Sequence, residues 1–536
     1  MEAPHTVKVE LYDTTLRDGA QMEDISLSVE DKLKITQRLD ELGVHYIEGG
    51  YPGSNPKDAE FFVRARSLPL RHARLTAFGS TRRAGGKADS DANLRALLDT
   101  QTPVVTIVGK ASDAHVRDVL ETTLEENLAM IADSIRFLKS HGRTAFFDAE
   151  HFFDGMASDR EYSLQCLRAA ADAGADCLVL CDTNGGTITS NVVAAVKAAR
   201  EAVATSIGIH AHNDAGLAVA NTLAAVEAGV VQAQGCINGY GERCGNADLC
   251  SVIPNLKLKM GIDVVSDEQL ARLAEISHYV SEIVNFVPNP FQPYVGTSAF
   301  AHKAGYHADG VLKKESSYQH VPPELVGNER RMLVSELGGS RGVLQKIREQ
   351  GIDLDVSRDD ARRLLDKIKE MESRGFQYEG AEASFELLVR RSQPGYESPF
   401  ELEDFWVVER RGHRGGNGEA IEMQAEAMVK VSVGGKMIQT AADGNGPVNA
   451  LDAAVRKALL EFYPSLEAVK LVDYKVRIID TAAGTGAGVR VLIESTDGEH
   501  FWTTVGSSTD IIEASWLALA DSLEYWLLKR HRESTT

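Results

Sequence analysis

Eight short apolar segments alternate with segments of helical period over the first 240 residues of the chain. The apolar segments lie near residues 9–13, 45–50, 74–80, 103–109, 144–150, 177–183, 207–213 and 231–239. Amphipathic segments such as SVEDKLKITQRLDELG separate them and end at glycine, a typical helix stop. Eight regular strand–helix units predict an α/β fold, a closed (β/α)8 TIM barrel. A doubly wound open sheet is the alternative.

Length and pattern divide the chain further. Because 536 residues exceed one ordinary hydrophobic core, we expect two or three domains. Residues 1–270 form the predicted barrel, and residues 271–381 are typical of helical linker subdomains with a Pro-rich interruption. In residues 382–536 strands are followed by a helix twice, and glycine-rich turns open both helices. This last region is predicted to be a separate C-terminal α+β domain.

Composition limits the partners and the compartment. A net charge of −21 argues against a nucleic-acid partner, whose phosphates need clustered Lys and Arg. No apolar run approaches the roughly 18 residues of a membrane span, and the N-terminus lacks the apolar core of a signal peptide. The six cysteines include no CxxC pair, so we expect reduced thiols and a cytoplasmic protein.

Polar residues gather where the predicted strands end, the face of a TIM barrel that carries the active site. His210 and His212 leave the same face of the seventh strand, as two adjacent metal ligands would. Asp18, just past the first strand, is a candidate third ligand. One carboxylate and two imidazoles leave positions open for substrate, and they allow Zn²⁺, Mn²⁺ or Mg²⁺. Arg17 presents a donor fork suited to a carboxylate or an oxyanion.

Further candidates follow other strands. Asp148 and Glu150 share one face of the fifth strand and both point into the predicted mouth, where a carboxylate acts as acid, base or orienting group or only pairs with Arg17. Thr183 offers a hydroxyl at the end of the sixth strand. The glycine-rich segment 239–249 contains Asn246, within reach of the metal or the substrate.

The segments LYDTTLRDGAQ, HAHND, GERCGNA and SAFAHKAGYHADG together resemble the 2-isopropylmalate/homocitrate/citramalate synthase family. The C-terminal segments TAADGNGPVNALDAA and GSSTDIIEASWLAL resemble the regulatory domain of that family, so the resemblance covers nearly the whole chain. It implies condensation of acetyl-CoA with a 2-oxo acid and hydrolysis of the thioester. The segments YIEGGYPGSNPKD, AFGSTRR and DAEHFFDG are most similar to the citramalate-forming branch, which implies pyruvate and a place in isoleucine biosynthesis.

The resemblance also assigns roles to residues by motif position. The implied metal ligands are Asp18, His210 and His212, with Asn246 near them. The implied catalytic residues are Arg17, Glu150, His307 and Tyr318. The implied substrate-binding residues are Arg17, Gln21, Asp148, Thr183 and Asp309. Asp148 departs from the expected pattern, because a bulky or apolar residue is expected there for a small 2-oxo acid.

The same resemblance implies a homodimer with feedback control by a branched-chain amino acid, isoleucine first and leucine second. Three alternatives stay open at this point. One is a 2-isopropylmalate or homocitrate synthase, which uses another 2-oxo acid. Another is an enzyme related to hydroxymethylglutaryl-CoA lyase, which would need a reactive cysteine in a glycine-rich loop. The last is an amino-acid sensor with an inactive barrel.

Overall fold

The computed structural model describes residues 8–302, 314, 318–332, 340–352, 354, 356–378, 380–410, 424–479, 484 and 486–533. Within these ranges the chain packs into two compact units. The barrel unit comprises the residues up to Phe300 and His320–Arg330, and the second unit comprises Ala301–Gln319 and the residues from Arg331 onward.

Eight parallel strands of the barrel unit close on themselves in chain order. The strands are β1 (Glu10–Asp13), β2 (Tyr46–Gly50), β3 (Arg74–Ser80), β4 (Val104–Lys110), β5 (Thr144–Glu150), β6 (Cys177–Asp182), β7 (Ser206–Ala211) and β8 (Gln232–Gly235). β1 pairs with both β2 and β8, so Tyr12 lies opposite Tyr46 on one side and Gln234 on the other. This closure confirms the predicted (β/α)8 barrel and excludes the open sheet.

Helices connect the strands and cover the barrel. They are α1 (Val29–Leu42), α2 (Pro56–Ala65), α3 (Ala92–Asp99), α4 (Asp113–Asp118), α5 (Leu124–Ser140), α6 (Phe152–Ser158), α7 (Arg160–Asp172), α8 (Thr189–Ala202), α9 (Ala218–Glu227) and α10 (Leu249–Pro254). Local sequence sets their ends: Ser28 and Asp31 form a capping box at the start of α1, and Gly43 ends the helix at φ 87°.

The barrel interior is apolar below its mouth. Tyr12, Tyr46 and Phe146 pack together there, with ring centroids 5.1 to 6.2 Å apart. Buried thiols of Cys177 and Cys181 join the same cluster. All six cysteines are free thiols, and Cys244 is the one that is exposed. Polar side chains therefore concentrate at the strand ends, where the apolar filling stops.

Two helices that follow the barrel, α11 (Asp267–Leu270) and α12 (Leu273–Ile283), belong to the barrel unit. α12 buries Leu273, Ile276 and Val280 in the same core as the strands. Packing therefore does not break at residue 270, where the sequence pattern places the start of the linker.

The second unit begins with two paired two-residue strands, β9 (Ala301–His302) and β10 (Arg331–Met332). The helices α13 (Ser340–Glu349), α14 (Arg358–Ser373) and α15 (Glu382–Arg391) follow. Ile347 and Leu364 share a core with Phe385 and Val505. Two helices of the predicted linker thus pack within the second unit, because their apolar faces need a partner that the region after residue 382 supplies. The two boundaries between the three predicted domains stay predictions.

The rest of the second unit repeats one motif, three antiparallel strands followed by a helix. The first copy has β11 (Glu401–Arg410), β12 (Gln424–Val433), β13 (Lys436–Gly444) and α16 (Pro447–Leu459); the second has β14 (Lys470–Ile478), β15 (Val489–Thr496), β16 (Phe501–Ser508) and α17 (Ile511–Glu533). Gly434 and Gly435 take positive φ in the β12–β13 hairpin. This confirms the predicted strand–helix repeat. In the described ranges, no helix combines the length and apolarity needed to cross a bilayer.

Candidate active site and metal centre

Barrel closure brings together the three predicted metal ligands. Asp18 follows β1, His210 lies in β7 and His212 follows that strand directly, while β8 separates β7 from β1. One ligand atom from each residue lies within 4.8 Å of the others, and all three residues are buried. Nε2 of His210 is 3.5 Å from Oδ2 of Asp18, and Nε2 of His212 is 3.9 Å from the same oxygen.

The charges of this group suit a cation. Burial alone would raise the pKa of Asp18, but Arg17, His210 and His212 outweigh it and hold that pKa far below its usual range. Burial lowers the pKa of His212 to about 4, and the neighbouring His210 adds to the effect. Asp18 is therefore an anion and His212 a neutral imidazole near neutral pH, as metal ligation needs. Burial lowers the pKa of His210, but Asp18 and Asp148 outweigh it and raise that pKa, so a cation bound there would displace a proton from His210.

The spacing also fits one ion. Ligand atoms bound at about 2.1 Å to one cation stand roughly 3–4 Å apart. Asn246 extends the donor set: its Nδ2 donates to Oδ1 of Asp18 at 2.9 Å, and a β-bridge places it beside His212. Its Oδ1 is buried and has no hydrogen-bond partner among the described residues. Asp18, His210 and His212 could hold a divalent cation, with the Asn246 oxygen near it.

Arg17 is fixed from three sides. Its Nε donates to Oε1 of Glu48 at 2.6 Å, and its Nη1 donates to Oδ2 of Asp18 at 3.1 Å. The guanidinium carbon lies 3.9 Å from the centroid of the Phe78 ring. The hydroxyl of Tyr12 donates to the other oxygen of Glu48 at 2.5 Å. The sequence indicated only that Glu48 is polar and ends a strand, and its role in orienting Arg17 becomes visible through β1–β2 pairing.

The two carboxylates of β5 differ in their surroundings. Asp148 is buried, and its Oδ1 has no hydrogen-bond partner in the described structure. Burial and the charge of Glu48 raise the pKa of Asp148 to about 7. Glu150 is half-buried and forms an ion pair with Lys110 rather than with Arg17. The shared strand face is thus observed, with Asp148 deeper in the barrel than Glu150.

The remaining predicted site residues each have their own surroundings. Oγ1 of Thr183 accepts a hydrogen bond from the backbone N–H of His151 at 2.9 Å. Gln21 is exposed and lines a cavity of about 280 Å³ together with Arg17. Tyr318 belongs to the second unit and is 41% exposed. His307 and Asp309 lie outside the described residues.

Two polar residues at strand ends serve the loops instead of the site. Both oxygens of Asp182 accept hydrogen bonds from Thr187. Asn238 donates to Ser281 and to the backbone of Ser277, which fastens α12 to the loop after β8. A polar residue at the end of a barrel strand is therefore not sufficient evidence of a catalytic role.

Three family models match the chain in succession. The HMGL-like model matches residues 8–280, the homocitrate synthase post-HMGL domain-like model residues 294–375, and the LeuA allosteric (dimerisation) domain residues 379–527. An HMGL-like barrel with this buried Asp–His–His group, joined in one chain to a LeuA allosteric (dimerisation) domain, defines a class of enzymes with two parts. The chain belongs to the HMGL-like family, in the group that carries the LeuA domain and includes the (R)-citramalate synthases. The resemblance seen in the sequence is confirmed.

Curated relatives match over nearly their full lengths. The (R)-citramalate synthase of Geobacter sulfurreducens is 51% identical over 97% of this chain and 98% of its own length. The (R)-citramalate synthase of Aquifex aeolicus is 51% identical over 98% of this chain and 99% of its own. The 2-isopropylmalate synthase of Methanocaldococcus jannaschii is 33% identical over 98% of this chain and 96% of its own.

Proposed function

We propose that this chain is an (R)-citramalate synthase, an acyltransferase that condenses acetyl-CoA with pyruvate and hydrolyses the thioester to release (R)-citramalate and CoA. The observation that carries the proposal is the identity of 51% with two curated (R)-citramalate synthases over at least 97% of the chain. The 2-isopropylmalate synthase relative reaches 33% over a similar span. We further propose that the product enters a pyruvate-dependent route to isoleucine.

The reaction needs a positioned base, because a thioester methyl group releases its proton reluctantly at neutral pH. The base takes a methyl proton, and the carbanion attacks the keto carbon of pyruvate. A carbon–carbon bond forms while the carbonyl electron pair becomes an alkoxide, which then takes up a proton. Water cleaves the thioester and CoA leaves as its thiol. We assign the proton transfers to Glu150 and His307, with Tyr318 as a supporting group.

Asp18, His210 and His212 would hold a divalent cation, with Asn246 beside them. Bound there, Mn²⁺, Zn²⁺ or Mg²⁺ supplies a Lewis acid for the keto oxygen of the 2-oxo acid. Arg17 contributes a fixed positive charge at the same place. Its Nε and Nη1 are engaged by Glu48 and Asp18, so we assign Nη2 to the oxygen that becomes the alkoxide.

In this proposal the substrate is oriented by Thr183, Gln21, Asp148 and Asp309. Because Oγ1 of Thr183 already accepts from the backbone of His151, its hydroxyl hydrogen is left to donate to the carboxylate of pyruvate. Asp148 is buried on β5, and in this proposal its carboxyl group contacts the substrate at the deep side of the mouth. Gln21 stands at the outer side, beside Arg17.

An assay of thiol release tests the proposal directly. Acetyl-CoA is offered with pyruvate, 2-oxoisovalerate, 2-oxobutyrate or 2-oxoglutarate, and kcat/KM is compared. We expect pyruvate to lead by at least about ten-fold, the discrimination that one or two methylenes allow. Chiral analysis of the product should give the R enantiomer. Preference for 2-oxoisovalerate or 2-oxoglutarate would make the chain a 2-isopropylmalate or homocitrate synthase, cleavage of hydroxymethylglutaryl-CoA would make it a lyase, and no turnover would favour a sensor.

The second unit carries the proposed regulation. A LeuA allosteric (dimerisation) domain matches residues 379–527, which supports a homodimer. We propose isoleucine as the feedback ligand, with leucine second, at the glycine-rich turns that precede α16 and α17. A cytoplasmic location completes the proposal.

A further inference from the structure

Gln234 is a fully buried glutamine whose role in the site the sequence did not indicate. It lies in β8, the strand between β7 and β1, and opposite Tyr12 of β1. Its Oε1 is 3.0 Å from Nδ1 of His210, on the side of the imidazole that faces away from Asp18. A glutamine in contact with a candidate metal ligand can set which ring nitrogen carries the proton.

The orientation of the Gln234 amide follows from its other contacts. Its Nε2 donates to Oε1 of Gln232 at 3.1 Å. With the NH₂ end of the amide directed at the Gln232 oxygen, the carbonyl end is left toward His210. The Gln234 oxygen therefore faces Nδ1 of His210.

An amide oxygen can only accept, so Nδ1 of His210 must carry the ring proton. The lone pair of Nε2 is then free and faces Asp18, as a metal ligand requires. The opposite tautomer would also find a partner, because Oδ2 of Asp18 lies 3.5 Å from Nε2 and could accept its hydrogen. Without Gln234 the protein would favour the tautomer that cannot ligate.

His212 offers an internal comparison. Its Nδ1 is buried and has no hydrogen-bond partner among the described residues. The tautomer of His212 is thus not held by a side chain in the way that the tautomer of His210 is. A change at Gln234 should affect one histidine of the pair and leave the other as it was.

We propose that Gln234 is a positioning residue: its carbonyl, oriented by the hydrogen bond from its Nε2 to Gln232, holds His210 in the tautomer that can bind a cation through Nε2. The inference rests on the proposed metal site of Asp18, His210 and His212. Tautomers are read in the metal-free protein without substrate, so a failure of this inference is distinguishable from a failure of the proposed reaction.

The test uses the full chain, freed of metal by a chelator and labelled with ¹⁵N in histidine. Long-range ¹H–¹⁵N spectra at about pH 9, above the ordinary pKa of imidazole, show whether His210 is neutral and which of its nitrogens carries the proton, and His210→Gln assigns the His210 signals. We expect Nδ1–H at His210 in the wild type and Nε2–H in Gln234→Met. Calorimetric titration with Mn²⁺ alone should show affinity reduced about 10–100-fold in Gln234→Met.

Gln292→Met is the matched control, since Gln292 is a part-buried glutamine of the barrel unit that donates to Asn238 and Asp248 and has no hydrogen bond to His210; it should keep the Nδ1–H tautomer and the wild-type Mn²⁺ affinity. Gln234→Glu keeps an acceptor oxygen and covers the case in which Gln234→Met does not fold. It should keep Nδ1–H at His210. Persistence of Nδ1–H in a folded Gln234→Met protein, or its loss in Gln234→Glu, would overturn the proposal.

Discussion

The polar groups buried in the barrel mouth and the ion group of Arg391, Asp521 and Glu524 in the second unit differ in how completely they are satisfied. In the mouth, Oδ1 of Asp148, Nδ1 of His212 and Oδ1 of Asn246 are buried without a hydrogen-bond partner in the described structure. Leaving such atoms unpaired costs about 1–3 kcal/mol each, so they are retained where a ligand completes them.

The second unit buries charges of a different kind. Both oxygens of Asp521 are occupied, one by Arg391 and one by Ser384. Both oxygens of Glu524 accept from Arg391, and the Tyr396 hydroxyl adds another bond. This group needs nothing from outside the protein. Unpaired atoms leave the mouth able to bind a ligand, whereas the satisfied charges of the Arg391 group stabilise the fold of the second unit.

The strongest test of this comparison removes one ligand from the mouth. His210→Ala deletes one of three side chains that could hold the cation, so we expect turnover to fall by about a thousand-fold or more, the equivalent of several kcal/mol. Bound metal should fall with it, as measured by elemental analysis of the purified protein. His141→Ala, at an exposed histidine before β5, is the control. Full activity with stoichiometric metal in His210→Ala would refute the metal site.

Arg391→Met tests the ion group of the second unit. It leaves Asp521 and Glu524 buried without their cation, and we expect a loss of about 3 kcal/mol in unfolding free energy, since Arg391 is partly exposed. All four tryptophans lie after residue 400, so their fluorescence reports unfolding of the second unit.

Metal content in Arg391→Met should stay at the wild-type level, because the mouth does not depend on this ion group. Arg363→Met is the matched control, because its pairing with Asp360 is exposed and should matter by less than about 1 kcal/mol. Equal destabilisation by both variants would show that the ion group of Arg391 stabilises the second unit no more than an exposed ion pair does.

Sequence alone predicted the barrel because each of its strands is a buried apolar run bounded by glycine or polar residues. The ligand set was also predictable, because His210 and His212 share a strand face and Asp18 follows β1, which lies one strand away from β7 once the barrel closes. Gln234 and Glu48 were not assigned roles. Each is a single polar residue in a short strand, and its partner lies on another strand whose register only the fold supplies.

The second unit was less predictable for a related reason. The sequence of β11, ELEDFWVVER, does not indicate a strand, because it is half charged, its Trp406 is 49% exposed, and it lacks the buried apolar pattern of a central strand. α13 and α14 were predicted as helices, but an amphipathic face does not say which partner it packs on. Their packing beside Phe385 and Val505 depends on the tertiary structure.

Binding of an amino acid to the second unit provides a further test of the comparison between that unit and the barrel mouth. We expect isoleucine to bind the full chain and to inhibit it, with a coupling of about 1–3 kcal/mol, equivalent to a 5–150-fold change in affinity. Calorimetry gives the binding and the thiol-release assay gives the inhibition, with leucine as the second ligand and alanine as the control. Binding of neither isoleucine nor leucine would leave the second unit as a dimerisation module.

The smallest expected effect concerns Asp13, a buried carboxylate of β1 that is satisfied by Thr15. Burial raises the pKa of Asp13 from 3.8 to about 7. The folded protein therefore binds one more proton than the unfolded chain between about pH 4 and pH 7. Because the unfolded chain binds fewer protons there, the stability of the barrel should fall as pH rises through this window, by at most about 1.4 kcal/mol per pH unit, and level off above it.

Asp13→Asn removes the carboxyl group that binds this extra proton. The unfolding free energy of the barrel should therefore depend less on pH in the variant. Urea unfolding between pH 5 and pH 8 measures it: far-ultraviolet circular dichroism follows both units, and tryptophan fluorescence follows the second unit alone. The circular dichroism transition should lose pH dependence in Asp13→Asn while the fluorescence transition keeps its wild-type course. An unchanged slope in both signals would mean that Asp13 is ionised in the folded barrel. Burying an ionised carboxylate at this place would then cost no more than burying the paired carboxylates Asp521 and Glu524.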